Sequence, residues 1–333
     1  MEDGVEIDVV TGATGQVGLE LCRTLAAAGR SVRALVLPRD PSAPALREAG
    51  VEVVEGDVRD ASALRAALRG GRHLYHLAAI VSTTARHDPR MWQVNVEGAR
   101  LAAGLSRELG LRMVYFSSIV VFDPDPLDHP LDEDRPRVPV AGSSPYVQSK
   151  VAGEQVVRAE VERGLDAVIV HPTVVVGPNE THHVGVVQSL LHRYFERRLP
   201  AVFTGGFDAV AASDVVAGAI AAASRGRSGH GYILGGTWHP VQALLRRAQP
   251  LCGAPVPRIA VPLALARAGL PAADLVARLT RQPPALTAED LRQLAGNRRI
   301  STAKARRELG YDPTGLDDAL ARVHAEWQRR RAG

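Results

Sequence analysis

Short β-branched runs alternate with longer stretches of helical periodicity through the first half of the chain, and this alternation restricts the architecture more than any other feature. Residues 5–10 read as a buried strand, after which Val17, Leu21 and Leu25 recur at helical spacing until Gly29. Further strands are expected over 32–36, 51–54, 74–77, 111–116 and 167–170, each separated by enough chain for a crossover helix. The pattern predicts an α/β fold, a parallel sheet doubly wound with helices on both faces. After Pro178 the pattern changes to helices and proline-rich loops, with one further strand expected over 232–234. The expected division is a sheet domain over 1–178, to which segments around 208–236 return, and a smaller, mostly helical C-terminal lobe from 179–207 and 237–333.

Composition narrows the function classes. At 333 residues, 46% hydrophobic and 23% charged, the chain can bury a sizeable core, which excludes a disordered or disulfide-stapled protein. A net charge of +4 with only 4% aromatics argues against a nucleic-acid partner. Cys22 and Cys252 lie far apart, without the spacing of a zinc or redox motif, as expected in a reducing compartment. Glu2, Asp3, Glu6 and Asp8 stand where a signal peptide would be basic and then apolar. Pro262, Arg267, Pro271, Asp274 and Arg278 interrupt the best apolar stretch, 259–279, so the expectation is a cytoplasmic protein without a membrane partner. His182-His183 and Asp128-His129 lack metal-ligand spacing, and no metal is expected. Arg329, Arg330 and Arg331 read as a solvated tail.

The segment Thr11-Gly-Ala-Thr-Gly-Gln-Val-Gly18 follows the first strand and opens the first helix. Gly12 permits a tight turn, Gly15 lets the backbone approach a pyrophosphate, and Gly18 lets helix and sheet pack closely. The helix N-terminus adds N–H donors and a positive dipole. Thr14, Gln16 and Val17 of the same turn are counted with the glycines as dinucleotide contacts. At the end of the second strand Leu37 replaces the acid that grips a ribose 2′-hydroxyl, while Arg39, with Arg33 nearby, favours NADP over NAD. Asp57 sits where it could accept from the adenine amino group, with Val58 against the ring.

Tyr146-Val-Gln-Ser-Lys150 opens a helix after Ser143, Ser144 and Pro145, and the spacing of four puts tyrosine and lysine on one face. A phenol is a poor acid–base group at neutral pH unless a neighbour tunes it, and an ammonium favours the phenolate. Of the 40 basic residues only Lys150 and Lys304 are lysine. A lysine kept one turn after Tyr146 implies that a compact ammonium is needed there. Ser118, chosen over Ser117, ends the fifth strand at the sheet edge where open α/β folds place ligands.

Taken in order, the glycine segment, Gly56-Asp57-Val58, His76-Leu-Ala-Ala79, Asn95-Val-Glu-Gly98, Ser117-Ser118, Tyr146-x-x-x-Lys150 and Pro172-x-x-x-x-Gly-Pro178 resemble the extended short-chain dehydrogenase/reductases over nearly the whole chain. The resemblance is closest to the dihydroflavonol-reductase-like branch, which includes proteins labelled NAD-dependent epimerase/dehydratase. It implies a Rossmann-type NAD(P)-binding domain over 1–178 and a Ser118–Tyr146–Lys150 triad. Tyr146 would be general acid or base, Lys150 would hold the nicotinamide ribose and lower the tyrosine pKa, and Ser118 would orient the substrate oxygen. It also implies that Leu77, Ala78 and Ala79 line the cofactor, that Asn95 braces the active-site helix, and that the His171-Pro172 turn packs near the nicotinamide. Members often dimerise beside that helix, and Val151, Val156 and Val157 fit a homodimer partner or the chain's own core equally.

Nucleotide-sugar members usually carry an Arg-Asp-Phe run where this chain has Phe207-Asp-Ala209, without the arginine for a diphosphate. The expected reaction is therefore hydride transfer between nicotinamide and a carbonyl or secondary alcohol of a small or fairly apolar molecule, with Ser82, Thr83, Thr84, His87, Ile119, Val175 and His182 as candidate pocket walls. The alternatives are a nucleotide-sugar epimerase or dehydratase that retains NAD, and a non-catalytic dinucleotide-binding regulatory protein.

Overall fold

The computed structural model describes residues 6–81, 88–179, 186–280 and 287–332. The main sheet has seven parallel strands: β1 (Ile7–Thr11), β2 (Ser31–Val36), β3 (Glu52–Glu55), β4 (Gly71–His76), β5 (Arg112–Phe116), β6 (Ala167–Pro172) and β10 (Gly231–Leu234). Their spatial order, β10-β6-β5-β4-β1-β2-β3, reverses direction between β1 and β4, so a crevice opens at the C-terminal ends of those two strands.

Consecutive strand residues feed opposite cores. Val9, Met113, Tyr115 and Ile169 join one cluster; Val10, Val114, Phe116 and Val170 join the other. The first is covered by α3 (Ala61–Leu68), α5 (Ala99–Leu109), which the short α4 (Pro89–Trp92) precedes, and α6 (Pro145–Glu162). The second is covered by α1 (Gln16–Ala27), α8 (Ala212–Arg225) and α12 (Ala303–Leu309), with α2 (Ala43–Glu48) at the β3 margin. Every predicted strand is present with small shifts at its ends. Gly29, in the left-handed region at φ 75°, follows the end of α1 as expected.

From Val174 onward the structure departs from the single expected strand. β7 (Val174–Val176), β9 (Gly206–Ala211) and β11 (Thr237–Pro240) form a three-stranded sheet, and β8 (Ala201–Phe203) pairs with β12 (Ile259–Val261). β7, β8 and β12 are three residues long, too short to carry a periodic signal, and tertiary pairing makes them strands. Around them pack α7 (Val186–Phe195), α9 (Val241–Cys252), α10 (Leu263–Thr280), α11 (Ala288–Leu294) and α13 (Leu316–Ala332), enclosing a separate core built on Leu191, Tyr194, Leu244, Leu245, Leu320 and Val323.

The arginines 329–331 are not a tail but the last turn of α13. Arg330 pairs with Glu326 at 2.7 Å, and the Arg331 guanidinium lies 5.0 Å from the Trp327 ring centroid. The proline-rich segment 123–139 is a strap between the two regions. Asn297 donates to the carbonyls of Pro124, Pro126 and His129, and Glu133 accepts from the Ile233 amide on edge strand β10 at 2.8 Å. Among the described residues, no helix is long and apolar enough to cross a membrane.

Candidate active site

The glycine turn is built by exclusion. Gly12 lies at φ 70°, and a Cβ there would stand 2.7 Å from the backbone of Leu77 and Ala78. A Cβ on Gly18 would stand 2.1 Å from the Gly12 carbonyl oxygen. Gly15 caps α1 without a side chain, so the first-turn amides keep their positive end toward the turn. The glycines press the turn against the end of β4 and α1 against the turn, and with the uncapped first-turn amides of α1 these residues fit a dinucleotide's pyrophosphate. Of the other turn residues, Gln16 donates to the Gly177 carbonyl at 2.8 Å, and Val17 packs into the core. The Thr14 hydroxyl donates to Asp40 at 2.9 Å.

At the β2 end, Leu37 is 54% exposed and Arg39 sits exposed in a left-handed conformation at φ 62°. Arg33 cannot assist it: its guanidinium donates to Glu52 and to the carbonyls of Ala67 and Arg69, in register with the middle of β1. Three residues after Leu37, the Asp40 carboxylate accepts from the Thr14 hydroxyl and from the Ser42 amide at 2.8 Å. Asp57 is clamped by Arg59 at 2.6 Å, which holds its carboxyl below the usual range, and Val58 packs against Gly98. Leu77, Ala78 and Ala79 leave the end of β4 half-buried beside Gly12; the Leu77 amide donates to the Thr11 carbonyl at 3.1 Å.

The second half of the site is carried by α6. Ser144 caps the helix through the Val147 amide, and Pro145 occupies its first turn. Tyr146 is half-buried and Lys150, one turn on, is 4% exposed. Lys150 Nζ donates to the Phe116 carbonyl at 2.6 Å, at the last residue of β5. The next two residues divide their roles: the Ser117 hydroxyl donates to buried Glu154 at 2.7 Å, whereas the Ser118 side chain stands beside the Tyr146 phenol. Ser118, Tyr146 and Lys150 thus meet at the C-terminal edge of β5.

Electrostatics at the phenol differ from the sequence expectation. Burial pushes Tyr146 up to about 12, against the hydrogen bond from Ser118 and with a further upward push from Glu289 of α11. The expected push from Lys150 is not among the causes of this shift, and Lys150 Nζ donates to the Phe116 carbonyl. Burial brings Lys150 itself down to about 8, opposed by Glu154. At neutral pH the tyrosine is therefore a protonated acid beside a cationic lysine.

Asn95 lies in a π-helical segment, Gln93–Gly98. Its side chain accepts from the Ile80 amide at 2.7 Å and donates to the Ile80 carbonyl and to Ser149 of α6, tying the β4 loop to the helix. His171 has its ring turned away from the glycine turn: it is fully buried, 2.8 Å from Glu154 and packed on Phe122, while Pro172 ends β6. Val151 and Val157 face the chain's own core. Ile119 and Val175 are half-buried, and Ser82, Thr83, Thr84, His87 and His182 lie outside the described residues. Asp40, Glu154 and Glu289 are the site neighbours that sequence reasoning missed. Only Glu154 carried a signal, at helical spacing from Lys150.

Residues 9–235 match the NAD dependent epimerase/dehydratase family, and the chain belongs to that family, within the extended short-chain dehydrogenase/reductases. It is 34% identical over 328 residues to "Sterol demethylase protein B" of Methylococcus capsulatus, covering 97% of this chain and 98% of that one. It is 30% identical over 320 residues to a "Putative dihydroflavonol 4-reductase" of Synechocystis, covering 94% and 92%. The crystal structure of gox2253 superposes with a TM-score of 0.84 at 30% identity over 98% of both chains.

Proposed function

We propose that this chain is an NAD(P)-dependent oxidoreductase acting between a carbonyl and a secondary alcohol on a small or fairly apolar substrate. The observation that carries the reading is the convergence of Ser118, Tyr146 and Lys150 at one strand end, with the glycine turn at the same edge of the sheet. Nicotinamide, when bound, supplies or accepts the hydride. Gly12, Gly15 and Gly18 with the first turn of α1 would hold the pyrophosphate, and Leu77, Ala78 and Ala79 would line the adjoining crevice. Ser118 orients the substrate oxygen. Tyr146, protonated at neutral pH, gives that oxygen a proton in the reducing direction and takes it back in the other. Lys150 would hold the nicotinamide ribose.

The exposed Arg39 at the β2 end supports NADP as the preferred form, and Asp40 on Thr14 is the charge that opposes it. The names of the two relatives, one for sterol demethylation and one for a dihydroflavonol, support an apolar ring-bearing substrate. Asp208, in the stretch aligned with the sugar-nucleotide arginine motif, is buried and accepts from the Gly236 amide at 2.8 Å, and the stretch Phe207-Asp-Ala209 itself carries no arginine for a diphosphate. The test is NADPH consumption at 340 nm with a panel of apolar ketones, for the wild type and for Tyr146→Phe. Loss of turnover in the variant supports the reading; near-wild-type rates overturn it.

A further inference from the structure

Four residues after Lys150 and eight after Tyr146, α6 carries Glu154, whose carboxylate is 2% exposed. Its two oxygens are divided between two sides. Oε1 accepts from Arg137 at 2.6 and 2.9 Å and from Arg158 at 2.9 Å, both arginines reaching in from half-exposed positions. Oε2 accepts from Ser117 at 2.7 Å and faces His171 at 2.8 Å. Consecutive residues at the end of β5, Phe116 and Ser117, are thereby bonded to Lys150 and Glu154. The helix has no slack in this arrangement, since a Cβ on Gly153 would stand 2.5 Å from the Tyr115 hydroxyl and 2.6 Å from the Asn95 carbonyl.

A buried carboxylate with two arginine partners is a weak source of stability when hydrophobic packing would serve, so its place beside the site calls for another account. We propose that Glu154 is the positioning residue of this site, the counter-charge that keeps the Lys150 ammonium protonated next to Tyr146. The inference rests on the reading of Lys150 given above. The charged and titratable groups around the pair are Tyr146 and Arg158 on α6, His76 on β4, Tyr115 on β5, His171 on β6 and Arg137 on the strap. Burial holds both histidines below their ordinary range, His76 at about 3, so neither supplies charge at neutral pH. Take Glu154 away, and Lys150 is left with only cations behind it.

Because Lys150 and Lys304 are the chain's two lysines, the ammonium can be titrated directly. Protein labelled with 13Cε-lysine gives two side-chain signals, which Lys304→Arg assigns, without any cofactor or substrate. The wild-type Lys150 midpoint is expected near about 8. Glu154→Gln is expected to lower it by about one pH unit or more, so that at pH 8 the charged fraction falls from roughly half to about a tenth. Arg158→Gln removes a cation from the same carboxylate and is expected to raise the midpoint. A carboxylate that does not act on Lys150 predicts neither shift. An unchanged midpoint in Glu154→Gln overturns the proposal. If that variant does not fold, Arg158→Gln carries the test, and a midpoint that stays put or falls overturns it. The titration is read on the free protein, so it tests Glu154 even if the chain reduces no carbonyl.

Discussion

Lys150 and Phe116 are joined by a 2.6 Å hydrogen bond from the ammonium to a main-chain carbonyl, which fixes a buried positive charge at the last residue of a central strand. The donor is 4% exposed, and the slot it fills was made for a narrow head group. Lys150→Arg keeps the charge but brings a planar fork into that slot. The expected outcome is a loss of about 1–3 kcal/mol of stability from overpacking, with cofactor affinity reduced, measured by urea unfolding and by fluorescence titration with NADPH.

The same lysine sets a pH dependence. Its folded pKa of about 8 lies below the roughly 10.4 of an unfolded lysine. Between those values the unfolded chain holds more protons, so this group makes stability rise with pH across that window. Cofactor affinity should run the other way, weakening as the ammonium is lost above about pH 8. Binding measured from pH 6.5 to 9.5 checks this, and Lys150→Met should flatten the profile.

Tyr146→Phe removes one hydroxyl from a half-buried ring whose neighbours are Ser118 and Glu289. General acid–base catalysis is worth about 10²–10⁴-fold. The expected result is a fall of that order in kcat/KM on any accepted carbonyl, with NADPH affinity altered little.

Gly18→Ala places a methyl group 2.1 Å from the Gly12 carbonyl oxygen, backbone that cannot yield without opening the turn. Stability should drop by about 1–3 kcal/mol and dinucleotide binding should be lost. Thermal melts with and without added NADPH separate the two effects: the variant should show a lower melting temperature and no stabilisation by cofactor.

Asn95→Ala strips the side-chain partner from both backbone groups of Ile80 and removes the donor to Ser149, whose hydroxyl keeps its bond to the Tyr146 carbonyl. Leaving buried polar groups unpaired costs about 1–3 kcal/mol, so a lower melting temperature is expected. Activity should fall with it, because the β4 loop and α6 lose their tie. Asn95→Asp, which keeps the acceptor for the Ile80 amide, should recover part of the loss.

Much of the architecture was legible because periodicity is a local property. The strands of the main sheet are short apolar runs whose successive residues feed two cores, and such runs announce themselves without knowledge of their neighbours. Glycines are legible for a related reason, since a residue without a side chain at Gly12 or Gly18 reports a close approach somewhere. Less visible were the three-residue strands Ala201–Phe203 and Ile259–Val261, which exist only because they pair with each other across the lobe. Nor could the residue order reveal that Arg33 is spent on Glu52 and two carbonyls, or that Asp40 reaches back to Thr14.

By itself the amino-acid order determined the doubly wound sheet, the glycine turn, and the pairing of Tyr146 with Lys150 on one helical face, because each follows from spacing along the chain. Only the tertiary structure decided how deeply each group is buried and which partners it meets, among them Glu154 for Ser117 and the Phe116 carbonyl for Lys150. Those depend on β5, the strap and α11, brought together by packing that no local pattern encodes.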